Sequence, residues 1–262
     1  SGRRSVSVHG TDLSPLPVVR HEPPRQSQEG TSVQALSFTI AIWLLATGSL
    51  SAETIRWGFS PSDPAPYVVM QGNELGPSIT RSLGERVASR LDMQIDFVEV
   101  PNNRIDRALR GGRIDLTCNT LPAWHKTPEV LRWSKPLYRD ADVLVSRTKQ
   151  HPLARLADLR GMRVGTAHDQ HHTHELAQAF RDGTLQRLNV RDAPTRLRMV
   201  EHDRLDASVE RRYAVEYYLR HNPESPLTMS SWTFAELPMR CAAEQNHRTT
   251  GRRSVRVLNG LA

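Results

Sequence analysis

From Glu53 onward the chain passes twice through the same order of short strands and helices, and this repetition limits its fold more than any other feature. In the first pass, Ile55-Arg-Trp-Gly-Phe59 alternates as a strand does and stops at the loop Pro61-Ser-Asp-Pro-Ala-Pro66. Residues 78–91 place Ile79, Leu83, Val87 and Leu91 at helical spacing. Residues 94–100 read as a second strand. Residues 103–110 read as a short helix stopped by Gly111-Gly112, and residues 114–118 as a third strand. In the second pass, residues 162–165, 188–190 and 205–209 read as strands, and residues 173–180, 195–202 and 213–220 as helices. Gly-Arg-Ile-Asp115 and Asp-Arg-Leu-Asp206 occupy matching places in the two passes.

Alternation of this kind predicts an α/β fold with parallel sheets covered by helices. The chain has 262 residues, enough for two modest cores. Two units joined through Val143-Leu-Val-Ser146 predict a two-lobed molecule with an extended hinge. The expected division is a disordered leader over 1–32, a signal peptide over 33–52, lobe 1 over 53–143 and a hinge at 144–147. Lobe 2 follows over 148–229, and 230–262 is a return to lobe 1 ending in an irregular tail.

Residues 1–32 are polar and rich in Pro, Arg, Ser and Gly, with no apolar period. Residues 33–52 centre on Leu36, Phe38, Ile40, Ile42, Trp43, Leu44 and Leu45, then turn small and polar up to Ala52. That layout is the one of a secretory signal cleaved near Ser51 or Ala52, with a retained anchor or a core helix as the other readings. The predicted location is therefore periplasmic, and the only membrane contact expected is through an uncleaved signal. The formal net charge is +7, which raises the question of nucleic acid. Lysine occurs only at 126, 135 and 149; arginine is spread along both passes and mixed with Asp and Glu. With no basic arm, zinc-finger spacing or RNP-like aromatic run, nucleic acid is not an expected partner.

The stretches Ile55-Arg-Trp-Gly-Phe-Ser60, Pro64-Ala-Pro-Tyr67, Arg110-Gly-Gly-Arg-Ile-Asp-Leu116, Trp133-Ser-Lys-Pro-Leu-Tyr138 and Leu156-Ala-Asp-Leu-Arg-Gly-Met-Arg-Val-Gly165 follow one another in a recognisable order. Together they resemble the family 3 bacterial extracellular solute-binding proteins, the receptors of polar amino acid ABC transporters. The likeness covers residues 53–243. It implies a two-lobed fold of the type II periplasmic-binding-protein kind, a small polar solute in the cleft, an ABC permease as partner, a monomer, and no enzymatic activity or cofactor. After Ala243 the sequence lacks the apolar closing helix usual in the family.

In open α/β sheets ligands bind beyond the carboxyl ends of the strands. Those ends are residues 60–67, 119–124, 167–172 and 210–211. The resemblance places Tyr67 where the family has an aromatic against the ligand, and Asn119 and Thr120 where it holds the ligand carboxylate. Two family anchors are changed. The slot of the carboxylate-binding Arg holds Thr127, with Trp124, His125 and Lys126 beside it as substitutes. The slot of the amine-binding Asp holds Arg211, with Glu210 next to it. Glu210 suits a cation and Arg211 an anion, and a one-residue register decides which of them faces the cleft. The expected ligand-binding residues are thus Tyr67, Asn119, Thr120, Trp124, Lys126, His168, Glu210 and Arg211.

Segment His168-Asp-Gln-His-His-Thr-His174 is open to two readings, a metal site using His168, Asp169, His171 and His172, or a solvated helix start; the expectation adopted is no metal. Cys118 ends a first-lobe strand, and Cys241 lies where the family's chain returns to the first lobe. After export the two could pair as a disulfide, and the other reading is two buried thiols, which a reducing compartment would keep. Two alternatives to transport remain: a sensory or degenerate solute-binding-like domain, and a dehydratase-like enzyme on the same fold using Glu210 with a loop histidine. Gly-Arg-Arg-Ser-Val occurs at 2–6 and again at 251–255.

Overall fold

The computed structural model describes residues 53–147, 153–167, 172–245 and 249–262. The expected leader 1–32, the expected signal 33–52 and His168 lie outside the described residues.

The first pass forms β1 (Thr54–Phe59), a small hairpin of β2 (Met70–Gln71) and β3 (Glu74–Leu75), α1 (Ile79–Leu91), β4 (Gln94–Glu99), α2 (Ile105–Arg110), β5 (Leu116–Thr120) and β6 (Leu131–Trp133). A long strand, β7 (Tyr138–Arg147), leads to the second pass: β8 (Arg163–Thr166), α3 (His174–Arg181), β9 (Gln186–Asn189), α4 (Ala193–Glu201), β10 (Ala207–Arg211) and α5 (Arg212–His221). The chain returns on β11 (Leu227–Glu244) and ends in α6 (Thr249–Asn259). Helix starts follow their sequence signals. Ser78 accepts from Arg81 N at 3.2 Å, Thr173 from Leu176 N at 3.4 Å and Asp192 from Thr195 N at 2.8 Å.

Strand order is β4-β1-β5-β11-β7-β10-β8-β9, with β6 also on β11. Within each half the pairs β1–β4, β1–β5, β10–β8 and β8–β9 are parallel, as the alternation requires. The sheets are nevertheless mixed rather than wholly parallel. β11 runs antiparallel to β5, β6 and β7, and β7 antiparallel to β10. The chain crosses between halves once in each direction: the expected hinge at 144–147 lies on β7, and the way back runs along β11.

The two halves are built on the same device. Asp115, just before β5, accepts from Arg56 N at 2.8 Å, Nε at 3.2 Å and Nη2 at 2.9 Å. Asp206, just before β10, accepts from Arg163 N at 2.7 Å, Nε at 3.1 Å and Nη2 at 2.8 Å. Two residues beyond each arginine is a glycine under the apolar residue that precedes the aspartate. A Cβ on Gly58 would lie 2.4 Å from Ile114 Cδ1, and one on Gly165 would lie 2.5 Å from Leu205 Cδ1. Ile114-Asp115 and Leu205-Asp206 therefore serve as plugs and clamps beneath the strands. This is why β5 and β10 both begin two residues later than the apolar pattern predicts.

The C-terminal segment is not the irregular tail expected. α6 packs on α1 and β11, and it buries Thr250, Gly251, Ser254, Val255 and Leu258. Its inward face is made mostly of small residues, so an apolar count misses it. Ser254 satisfies its hydroxyl by donating to Thr250 O at 2.9 Å, and a Cβ on Gly251 would meet Asp115 O at 2.6 Å. The second Gly-Arg-Arg-Ser-Val copy is thus a helix turn with Gly, Ser and Val inward and both arginines outward. The copy at 2–6 lies outside the described residues.

Candidate interlobe site

The loop after β1, the ends of β5 and β10, and β7 converge on one cluster. Tyr67 is buried, donates its hydroxyl to Asp140, and stacks on Tyr138 with ring centres 6.5 Å apart. Tyr138 stacks in turn on Tyr213 at 5.9 Å and donates to Asn119 Oδ1 at 2.7 Å. The Asn119 amide donates to Thr80 Oγ1 at 2.9 Å, from a backbone with φ of 56° that Asn tolerates better than most residues. Asn119 therefore ties α1 to the aromatic stack, and both its side-chain groups are engaged.

Thr120 and the stretch after it hold their own loop. Thr120 Oγ1 lies 2.7 Å from His125 Nε2, and His125 Nδ1 lies 2.5 Å from Asp106. Asp106 also accepts from Lys126 N at 3.1 Å, while the Lys126 side chain is exposed. Thr127 accepts from Arg110 at 3.1 Å. Of the residues expected to replace the missing lobe 1 arginine, only Trp124 reaches lobe 2.

The register of β10 settles the Glu210–Arg211 choice. Glu210 turns into lobe 2, where Arg196 donates to it through Nε at 2.6 Å and Nη2 at 2.7 Å, both side chains being at least 95% buried. Glu210 is therefore a structural anchor, which corrects its expected ligand role. It also removes the acid named for an enzymatic reading. Burial raises the Glu210 carboxyl above the ordinary carboxylate range, and Arg196 opposes that rise.

Arg211, one residue on, faces the cluster. Its guanidinium lies over the Trp124 ring at 4.4 Å, and its Nε is 3.4 Å from Asp142. Nη1 is buried with no acceptor among the described residues. Three carboxylates stand near this one cation. Asp63 accepts from Asn102 at 3.0 Å; Asp140 accepts from Ala141 N at 2.8 Å and Tyr213 N at 3.3 Å. Burial pushes both Asp63 and Asp140 up to about 6, against the pull of those hydrogen bonds and of Arg211. Burial, with Asp63 beside it, also raises the Tyr138 phenol.

These shifts predict a pH signature. A carboxyl that rises from 3.8 to about 6 on folding binds more protons folded than unfolded across that window. Stability from Asp140 is therefore full below 3.8 and falls as pH rises through 6. The loss is at most about 3 kcal/mol, at 1.36 kcal/mol per unit. Asp140→Asn keeps an acceptor for Ala141 and Tyr213 but cannot ionise. Melting curves from pH 4 to 7 should show the variant gaining on the wild type as pH rises; a constant difference would refute the buried charge.

His172 packs its ring on Phe180 at 5.5 Å and lies 3.1 Å from Thr166 Oγ1, as part of lobe 2. Among the described residues no group of three His, Cys, Asp or Glu is placed to hold a metal. His168, Asp169 and His171 lie outside the described residues. Cys118 and Cys241 form a disulfide between β5 and β11.

Sequence reasoning missed Asp63, Tyr138, Asp140, Asp142 and Tyr213. One signal was available: Asp140 and Asp142 sit two apart, on one face of β7, next to the apolar run Val143, Leu144 and Val145.

No family profile matches the chain. A probable histidine-binding protein of Campylobacter jejuni is 22% identical over 173 residues, which is 65% of this chain and 65% of that protein's own length. Among solved structures, an ancestral arginine-binding protein bound to arginine superposes with a TM-score of 0.67 at 18% identity, over 80% of this chain and 93% of that one. A histidine kinase sensor domain with similarity to periplasmic binding proteins superposes with a TM-score of 0.65 at 20% identity, over 80% and 91%. The chain has the two-lobed α/β fold of the periplasmic binding proteins. Its structural neighbours include amino acid-binding proteins, and no helix among the described residues is long and apolar enough to cross a membrane.

Proposed function

We propose that this chain is a periplasmic receptor that closes its lobes on a small zwitterionic solute of amino-acid type and delivers it to an ABC permease. The observation that carries the reading is Arg211. Its buried Nη1 needs an acceptor, and it sits at the lobe junction beside an aromatic wall and a surplus of carboxylates. A ligand carboxylate would meet Nη1, and a ligand ammonium would meet Asp63 or Asp140. Lobe 2 would then supply the cation and lobe 1 with β7 the anions. Export to the periplasm as a monomer is part of the same proposal, and the Cys118–Cys241 disulfide supports an oxidising compartment.

A thermal-shift screen of the twenty amino acids, opines, polyamines and small carboxylates tests it. A ligand that binds only the folded state raises the melting temperature. At least one zwitterion should stabilise the protein, and Arg211→Ala should weaken its binding about 100-fold, as expected on losing a charge-assisted pair of about 3 kcal/mol. Silence across the panel would sink the reading. The sensor-domain neighbour favours a second role for the same cleft, in signalling. Loss of solute uptake on gene deletion supports transport, whereas loss of a transcriptional response with uptake intact supports sensing.

A further inference from the structure

The amino end of β1 carries a feature that the cleft does not use. Arg132 of β6 and Arg252, Arg253 and Arg256 of α6 line one concavity of about 630 Å³, together with Thr249 and Asn259. Glu53, immediately before β1, accepts from Arg253 at 3.1 Å. Glu53 stands at the amino end of β1, whereas the interlobe cluster gathers beyond the carboxyl end of that strand.

The charge arrangement works against the helix that bears it. Arg252 and Arg256 are one turn apart on the exposed face, where like charges repel. α6 has no acid in its first turn, and Thr249–Asn259 contains no acid at all. Arg252 therefore adds to the positive end of the helix, while Arg256 stands in the last turn. Arg132, Arg252 and Arg256 are exposed and make no ion pair among the described residues. Arginine's planar fork suits phosphate oxygens in bidentate fashion. The side chains that shape the helix underneath are fully accounted for: Gly251, Ser254, Val255 and Leu258 face inward, so the arginines are not needed for packing.

We propose that this groove is a second binding site, for a phosphate-dense anion carrying several negative charges. Such an anion offsets the charge of Arg132, Arg252 and Arg256 and reaches the positive end of α6 at Thr249. A free polyphosphate and an anionic phospholipid headgroup share this chemistry.

Isothermal titration of the whole chain with sodium tripolyphosphate, and co-sedimentation with vesicles of phosphatidylglycerol and phosphatidylcholine, separate the two sources. Tripolyphosphate should bind the wild type, and Arg252→Gln/Arg256→Gln should weaken it at least tenfold. Arg132→Gln, on a different element, should weaken it as well. Arg90→Gln/Arg107→Gln removes the same charge from exposed positions elsewhere in lobe 1 and should leave binding unchanged. Binding should also fall as NaCl rises from about 50 to 200 mM. Binding of phosphatidylglycerol vesicles alone, lost in the groove variants, would assign the site to a lipid headgroup. No binding of either probe, or equal weakening by both double variants, would overturn the proposal. Solute responses in the thermal-shift screen should be unchanged in the groove variants, so failure of this site is distinguishable from failure of the cleft.

Discussion

Arg196→Met is expected to cost about 3–5 kcal/mol of folding stability, measured by urea denaturation, because it strands a buried carboxylate. Arg196 and Glu210 are joined by two hydrogen bonds of 2.6 and 2.7 Å, and Arg196 also donates to Val190 O at 2.8 Å. With the guanidinium gone, only desolvation acts strongly on Glu210, and its pKa climbs further. Stability of the variant should then fall as pH rises, since the folded state would hold a proton that the unfolded state releases. Arg196→Met/Glu210→Leu removes both charges and should recover most of the loss, because replacing a whole buried pair with apolar groups is often neutral. If the double variant is as unstable as the single one, packing rather than charge holds this position.

Replacing Cys118 and Cys241 with serine should cost about 2–5 kcal/mol, since the disulfide closes a loop spanning 123 residues and so restricts the unfolded chain. For a chain of this size the melting temperature would drop on the order of 10 °C. The bond joins β5 to the end of β11, the strand that carries the chain back to lobe 1 and on to α6. Reduction should therefore loosen α6 first, seen as faster amide exchange over 249–259. Two free thiols in unreduced, denatured protein, together with identical melting in oxidising and reducing buffer, would refute this.

Much of the fold was legible. The doubled strand–helix order, the helices over 78–91 and 173–180, and the alignment of Asp115 with Asp206 are local or periodic signals, and local signals survive in one dimension. What was misread has a common cause. Ile114-Asp115 and Leu205-Asp206 looked like the starts of strands because they are apolar and buried, yet their burial comes from packing under Gly58 and Gly165 on a neighbouring strand. α6 was missed because burial of Thr250, Gly251 and Ser254 depends on how closely β11 and Asp115 approach it.

The site divides along the same line. Residue order gives two α/β lobes and a cleft at the strand ends, and the family resemblance adds Tyr67 and Asn119 near it and an exchange of charge at the second-lobe anchor. Which of Glu210 and Arg211 faces that cleft could not be read. The side chains of a strand alternate, so a one-residue uncertainty in the register of β10 leaves the facing residue open until β7 and β8 pin it. The acidic pair Asp140 and Asp142 acquired its meaning in the same way. Two carboxylates next to an apolar run are an anomaly in sequence; only their meeting with Tyr67, Trp124 and Arg211, drawn from distant segments, makes them part of a charged, aromatic-walled junction.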